Sequence, residues 1–276
     1  MNLEVVKDYY GKVLRTSKDL KTSACCDGGG VPAHLEPLLA NVHEEVIAKY
    51  YGCGIVVPTA LQGCRVLDLG SGSGRDVYMI SQLVGPQGEV VGVDMTDEQL
   101  ETARSHIDWH MRAFGYARSN VKFLKGYIET LGELGLEPKS FDVIVSNCVI
   151  NLAPDKAPVF QEALRVLKPG GRFAVSDIVI HGGLPAGLMD TAQMRQDLSS
   201  WAGCIAGALT DAEYRAGLAA AGFTAIDLEI TRRYIVADIP ASATGWTAGL
   251  DEATRAELVE RFASTFVRAM KPAPGS

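Results

Sequence analysis

Two sets of residues in this chain have the types and spacing for chemistry. The first is the run Val66-Leu67-Asp68-Leu69-Gly70-Ser71-Gly72-Ser73-Gly74-Arg75-Asp76, where an apolar strand enters three glycines spaced by one residue and then a helix. The spacing is G-x-G-x-G, not the G-x-G-x-x-G of a dinucleotide loop. Glycines let a backbone approach a ligand closely, and the helix that follows starts with free N–H groups able to meet a carboxylate. Asp68 is suited to an ammonium group. Asp94 stands 20 residues beyond Gly74, at the end of an apolar run, where its carboxylate can accept hydrogen bonds from two ribose hydroxyls. Loop spacing and both acids favour S-adenosylmethionine as methyl donor over a nicotinamide dinucleotide. A glycine turn serving only helix packing leaves the acids unexplained. Asp68, Gly70, Gly72, Gly74, Arg75, Asp94 and Met95 are therefore expected at the cofactor. Ile128 and Glu129, in the turn after the third strand, and Asn147, at the end of the fourth, are expected beside them.

The second set is the six cysteines, Cys25, Cys26, Cys53, Cys64, Cys148 and Cys204. In a reducing compartment these are free thiols, metal ligands or catalytic groups. The ordinary role of a cysteine, a small buried hydrophobe, suits Cys64 just ahead of the first strand, and Cys26 reads as incidental beside Cys25. That role suits Cys148 less, because its strand ends at the mouth of the expected pocket. Cys53 and Cys204 stand among glycines in predicted loops. No C-x-x-C pair is present, so structural zinc is not indicated and no metal-ion cofactor is expected. His106 and His110 have metal-pair spacing, but the segment HIDWH lacks the glutamate of H-E-x-x-H. They read as solvated or packing residues.

The elements that must position these groups alternate. Arg65–Leu69, Glu89–Val93, Val121–Lys125, Phe141–Ser146 and Arg172–Ile178 are short β-branched runs that read as buried strands. Helical stretches at Asp76–Leu83, Asp97–Phe114 and Pro158–Leu167 separate them. The pattern predicts an α/β, Rossmann-like doubly wound fold with a mostly parallel seven-stranded sheet. The last two strands, Ala225–Val236 and Ser264–Met270, close the far edge around a helix at Glu252–Phe262. Further helices are expected at residues 2–15, Leu35–Tyr51, Leu188–Trp201 and Asp211–Ala221. Three regions follow: residues 1–60 as an N-terminal helical and loop extension carrying Cys25 and Cys53, residues 61–182 as the cofactor-binding core, and residues 183–276 with a helical insertion carrying Cys204 and the closing strands.

Apolar residues make up 47% of the 276 and charged residues 21%, enough core to make disorder an unsuitable reading. The net charge of −7 and the lack of a basic block argue against nucleic acid. No apolar run is long enough to span a bilayer, and the first ten residues lack a signal-peptide core. A cytoplasmic monomer without a membrane partner is expected.

The chain resembles the arsenite methyltransferases from about Tyr9 to Ala237. The residues that carry the likeness are YYGKVL at Tyr9–Leu14, NVHEEV at Asn41–Val46, YYGCG at Tyr50–Gly54, LDLGSGSGRD, SNCVINLAPDK at Ser146–Lys156, and WAGCIAGAL at Trp201–Leu209. Gly203 departs from an acid common in that place. The resemblance implies that Cys148 and Cys204 hold arsenic as substrate and that Cys53 joins them for arsenite. Cys25 matches the family's first cysteine and is expected as the redox partner of Cys53. Disulfide formation would reduce the product, with a cellular thiol such as glutathione, or thioredoxin, as reductant. Two rival readings stand beside this one: a carbon or nitrogen methyltransferase of small metabolites with structural cysteines, and a thiol protein that sequesters metalloid without turnover.

Overall fold

The computed structural model describes residues 3–14, 32–52, 54, 56–183, 205, 207–238 and 250–275. Five parallel strands form its centre: β1 (Arg65–Leu69), β2 (Glu89–Asp94), β3 (Val121–Lys125), β4 (Phe141–Asn147) and β5 (Leu167–Ile180). A two-residue β6 (Leu209–Thr210) pairs with β5, and β7 (Thr224–Arg233) and β8 (Phe262–Met270) complete the sheet. The order is β3-β2-β1-β4-β5-β8-β7, with β8 antiparallel to both neighbours. The expected seven strands are present, and β6 is an eighth that two residues were too few to signal.

Helices cover both faces because the strands are apolar on both. On β1, Leu67 and Leu69 enter one core with α7 (Ala157–Val166) and α8 (Asp211–Ala221), while Val66 enters the other with α4 (Arg75–Val84). This period-two division fixes the register of the strand. The sheet reverses its winding between β1 and β4, the place where open α/β sheets bind ligands. There the glycine loop and the chain after β4 touch: a Cβ on Gly70 would collide with the Val149 side chain, and Gly70 also takes a left-handed φ of +74°.

Two predicted helices are each broken. Leu35–Tyr51 is α2 (Glu36–Ala40) and α3 (Glu44–Ala48), because His43 leaves the helical region at ψ 137° and its Nδ1 caps the second piece, accepting from Glu45 N–H. Asp97–Phe114 is α5 (Asp97–Ser105) and α6 (Ile107–Phe114), parted at His106. The first segment is α1 (Leu3–Asp8) followed by a π-turn at Tyr9–Val13. The helix expected at Leu188–Trp201 lies outside the described residues. Among the described residues no helix is long and apolar enough to cross a membrane.

Candidate active site

A cavity opens at the carboxyl ends of β1, β2 and β4. Of the residues expected at the cofactor, Asp68, Gly70, Gly72, Asp94 and Met95 line it from the first two strands. Ile128, Glu129 and Asn147 line it from the later ones, and Cys148 and Val149 continue its wall. Gly74 and Arg75 stand behind the lining. Gly74, at φ +90°, leaves room for the ring of Phe123, 2.8 Å from where a Cβ would sit.

Asp94 is held by its own loop. Its Oδ2 accepts from Gly72 N–H at 2.8 Å, and its Oδ1 accepts from Thr96 N–H at 2.9 Å and from the Thr96 hydroxyl. Burial raises its pKa, and these donors pull the other way. Asp68 is raised further, first by burial and then by Asp76 and Asp94, with Arg75 opposing. The carboxyl groups of Asp68, Asp76, Asp94 and Glu129 thus line the cavity, with the Arg75 guanidinium bonded to Asp76 behind it. When all are ionised the pocket carries excess negative charge and favours a cationic ligand.

Residues of the cavity wall join Arg75 in a network whose pairings the sequence did not signal. Arg75 stacks its guanidinium over the Tyr50 ring, 3.2 Å from the centroid, and donates to Asp76 Oδ1 at 2.7 and 2.9 Å and to Gly54 O at 2.9 Å. Asn147 Nδ2 reaches the Tyr50 hydroxyl at 2.6 Å, Gly54 O at 2.8 Å and Asp76 Oδ2 at 3.1 Å. The Tyr50 hydroxyl donates to Gly54 O at 2.5 Å. Burial pushes the Tyr50 phenol well up, so it remains a donor. Arg75 therefore positions Tyr50 and the backbone of Gly54, and neutralises Asp76, without being part of the wall. The N-terminal segment closes the other side, with Leu3, Tyr10 and the stretch Lys49–Gly52 lining the cavity. The motifs YYGCG and YYGKVL marked these segments, but neither placed Tyr10 at the cavity.

Cys148 is buried and adopts φ +58°, a left-handed conformation unusual for a residue with a side chain. Its N–H is tied to Ser176 O at 2.8 Å. It is disulfide-bonded, and the partner sulfur lies outside the described residues. Cys25, Cys53 and Cys204 also lie outside them. Cys64 is free and far from this wall, half-buried ahead of β1.

The lining fits a ligand that brings polar groups of its own. Ser71 Oγ, Gln99 Oε1 and Glu129 Oε1 are buried with no hydrogen-bond partner among the described residues, and all three belong to lining residues. Native proteins leave few such atoms unpaired. A Cβ on Gly72 would make only an ordinary contact, with Gln99 Oε1 at 3.7 Å, so the loop backbone there has room for a close neighbour.

A family model described as a methyltransferase domain matches residues 60–222. The arsenite methyltransferase of Aquipseudomonas alcaligenes is 57% identical over 206 residues, 75% of this chain and 57% of that protein. The human arsenite methyltransferase is 51% identical over 205 residues, 74% of this chain and 53% of its own length. The chain thus spans a little over half the length of these curated relatives. Among solved structures, an arsenic(III) S-adenosylmethionine methyltransferase from Chlamydomonas reinhardtii superposes with a TM-score of 0.73 at 38% identity, over 89% of this chain and 76% of that one.

Proposed function

The chain belongs to the arsenite methyltransferase family, and from that premise we propose that it transfers the methyl group of S-adenosylmethionine to trivalent arsenic held by its own thiolates. The observation that carries this is Cys148: a sulfur-bearing residue in a strained backbone conformation, in the wall of a cavity lined by four carboxyl groups. Strained residues cluster where function demands a placement that packing alone does not favour.

S-adenosylmethionine supplies an electrophilic methyl group on a sulfonium when bound. Asp94, already fixed by Gly72 and Thr96, keeps lone pairs for the ribose hydroxyls, and Asp68 balances the ammonium group. Ile128 and Glu129 flank the base, and the sulfonium's positive charge suits the acidic lining. The chain's part in the chemistry is placement. Trivalent arsenic is thiophilic, and Cys148, Cys204 and, for arsenite, Cys53 are its ligands. Thiolates replace its hydroxides and leave the arsenic lone pair free, so no side chain has to remove a proton. Fixed proximity replaces a bimolecular encounter. Two thiolates then give the two electrons that return pentavalent arsenic to the trivalent state and become a disulfide, with Cys25 and Cys53 as the pair, and glutathione or thioredoxin reopens it. Cys148 is itself disulfide-bonded, a different bond from the Cys25–Cys53 pair, and that sulfur must be reduced before it can take arsenic. The reading carries with it a cytoplasmic monomer in which residues 61–182 bind the donor and the flanking regions supply the thiolates.

The test is chromatography of arsenic species after incubation with arsenite or methylarsenite, S-adenosylmethionine and a thiol. Cys148→Ser and Cys204→Ser should each abolish methylation of both substrates while leaving donor binding by calorimetry intact. Cys64→Ser should turn over normally. Native turnover in the Cys148→Ser protein would overturn the thiolate assignment.

A further inference from the structure

Three of the chain's five histidines meet at one place outside the cavity: His43 at the start of α3, His106 at the corner between α5 and α6, and His110 on α6. The His43 and His106 rings stack with centroids 3.8 Å apart and planes 22° apart. Glu45 Oε2 lies 3.0 Å from His106 Nε2. One ligand atom from each of His43, Glu45 and His106 lies within 4.8 Å of the other two.

His110 braces this group from below. It is fully buried, its Nε2 accepts from His43 N–H at 3.1 Å, and its Nδ1 faces His106 O at 2.7 Å. An amide proton needs an acceptor and a carbonyl needs a donor, so these two partners select the neutral tautomer with the proton on Nδ1. One side chain thus locks the backbones of two others whose sequence separation is 63 residues. Its ring is itself held by stacking on Tyr78, 3.4 Å between centroids. The pairing that the spacing of HIDWH offers, His106 with His110, is not the one the fold makes.

We infer that His43, Glu45 and His106 form a binding site for a divalent cation of the zinc class, separate from the thiolates that take arsenic. Two imidazoles and one carboxylate suit zinc, cobalt or nickel, whereas magnesium and calcium prefer oxygen alone. At zinc–nitrogen distances of about 2.0–2.1 Å, ligand atoms in a tetrahedral shell lie about 3.4 Å apart. Imidazole lone pairs lie in the ring planes, so binding also unstacks the His43 and His106 rings, and the exposed Glu45 side chain closes the remaining gap by rotation. The ion replaces the proton between His106 and Glu45. The His110 brace is the kind of outer support that holds ligand side chains in register. One consequence follows from chain order: α3 runs directly into Lys49–Gly52, which line the cavity. A cation here ties that segment to the α5–α6 corner of the core.

Cobalt(II) is the probe, added to the full chain without arsenic. Its visible spectrum separates nitrogen–oxygen ligation from sulfur ligation by the sulfur-to-cobalt charge-transfer band. The expected result is one equivalent bound without that band, its affinity reduced at least tenfold by Glu45→Gln and further by His106→Ala. Any sulfur-ligated cobalt should be untouched in both variants. Glu45→Gln changes an exposed group and preserves its size, so its circular dichroism and donor affinity without metal should match the parent. A spectrum showing only sulfur-ligated cobalt, no bound cobalt, or unchanged nitrogen–oxygen binding in Glu45→Gln would each overturn the site.

Discussion

Asp94 and Asp177 lie on opposite flanks of the sheet and show what a buried carboxylate becomes under two kinds of neighbour. Asp94 ends β2 in the parallel half and collects two backbone N–H groups and a hydroxyl. Asp177 lies on β5 beside the antiparallel β8, 1% exposed, with the Tyr214 hydroxyl at 3.3 Å. Its Oδ1, like the nearby Asn151 Oδ1, has no partner among the described residues. Burial pushes Asp177 up to about 7, against smaller pulls from Lys156, Tyr214 and the backbone of Ile178 and Asn151. The donor-rich flank keeps its carboxylate available to a ligand; the donor-poor flank favours a carboxyl that keeps its proton.

The largest effect expected from breaking this contrast is at Asp94. Asp94→Ala removes the acceptors for the ribose and leaves Gly72 N–H and Thr96 N–H without their partner. The loss in S-adenosylmethionine binding should be on the order of 2–4 kcal/mol, roughly 30- to 1,000-fold in affinity. Calorimetry reads it directly. Undiminished affinity would mean that the donor does not bind at the end of β2.

Much of that flank was legible in the residues. A β-branched run entering G-x-G-x-G, with an acid at the end of the next strand, is a local pattern, and Asp68, Gly72 and Asp94 all line the cavity. What escaped was set by contacts across the fold. Asn147 meets Tyr50 across 97 residues, and no local period records such a meeting. Arg75 was expected at the cofactor from its place after the last glycine, yet its guanidinium turns to Asp76 and Tyr50 instead. The breaks at His43 and His106 were hidden for a related reason. Helical periodicity runs through both places, and it is a side-chain cap at His43 and the turn at His106, with His110 tied to both, that interrupt it. On the other flank, Asp177 sits within a β-branched run where nothing marks a carboxylate as starved of donors.

A second effect, read per pH unit, isolates Asp177. The folded chain holds its proton up to about pH 7, while an unfolded aspartate releases it near 3.9. Between those values unfolding releases a proton, so stability contributed by the neutral acid is present at low pH and lost as pH rises towards 7. One group changes stability by at most ~1.4 kcal/mol per pH unit. Asp177→Asn stays neutral throughout. Its stability relative to the parent should climb between about pH 4 and pH 7 and level off above that, in urea melts repeated across the range. A difference that stays flat with pH would show that Asp177 is ionised in the folded chain.

The smallest effect sharpens the comparison from the backbone. Near Asp177's flank the chain is closed: a Cβ on Gly207 would run into Asn151 O. Beside Asp94 it is less crowded, for a Cβ on Gly72 makes only an ordinary contact with Gln99 Oε1 at 3.7 Å. Gly72→Ala therefore meets no clash, and its cost to the fold is the strain of a side chain at φ +51°, about 1 kcal/mol. The added methyl group points into space that the donor needs, so its binding should weaken by a further ~1 kcal/mol through overpacking. Denaturation reads the first loss and calorimetry the second, each on the same preparation. If Gly72→Ala loses stability as expected but binds S-adenosylmethionine as tightly as the parent, the cavity beside Asp94 is not the donor's.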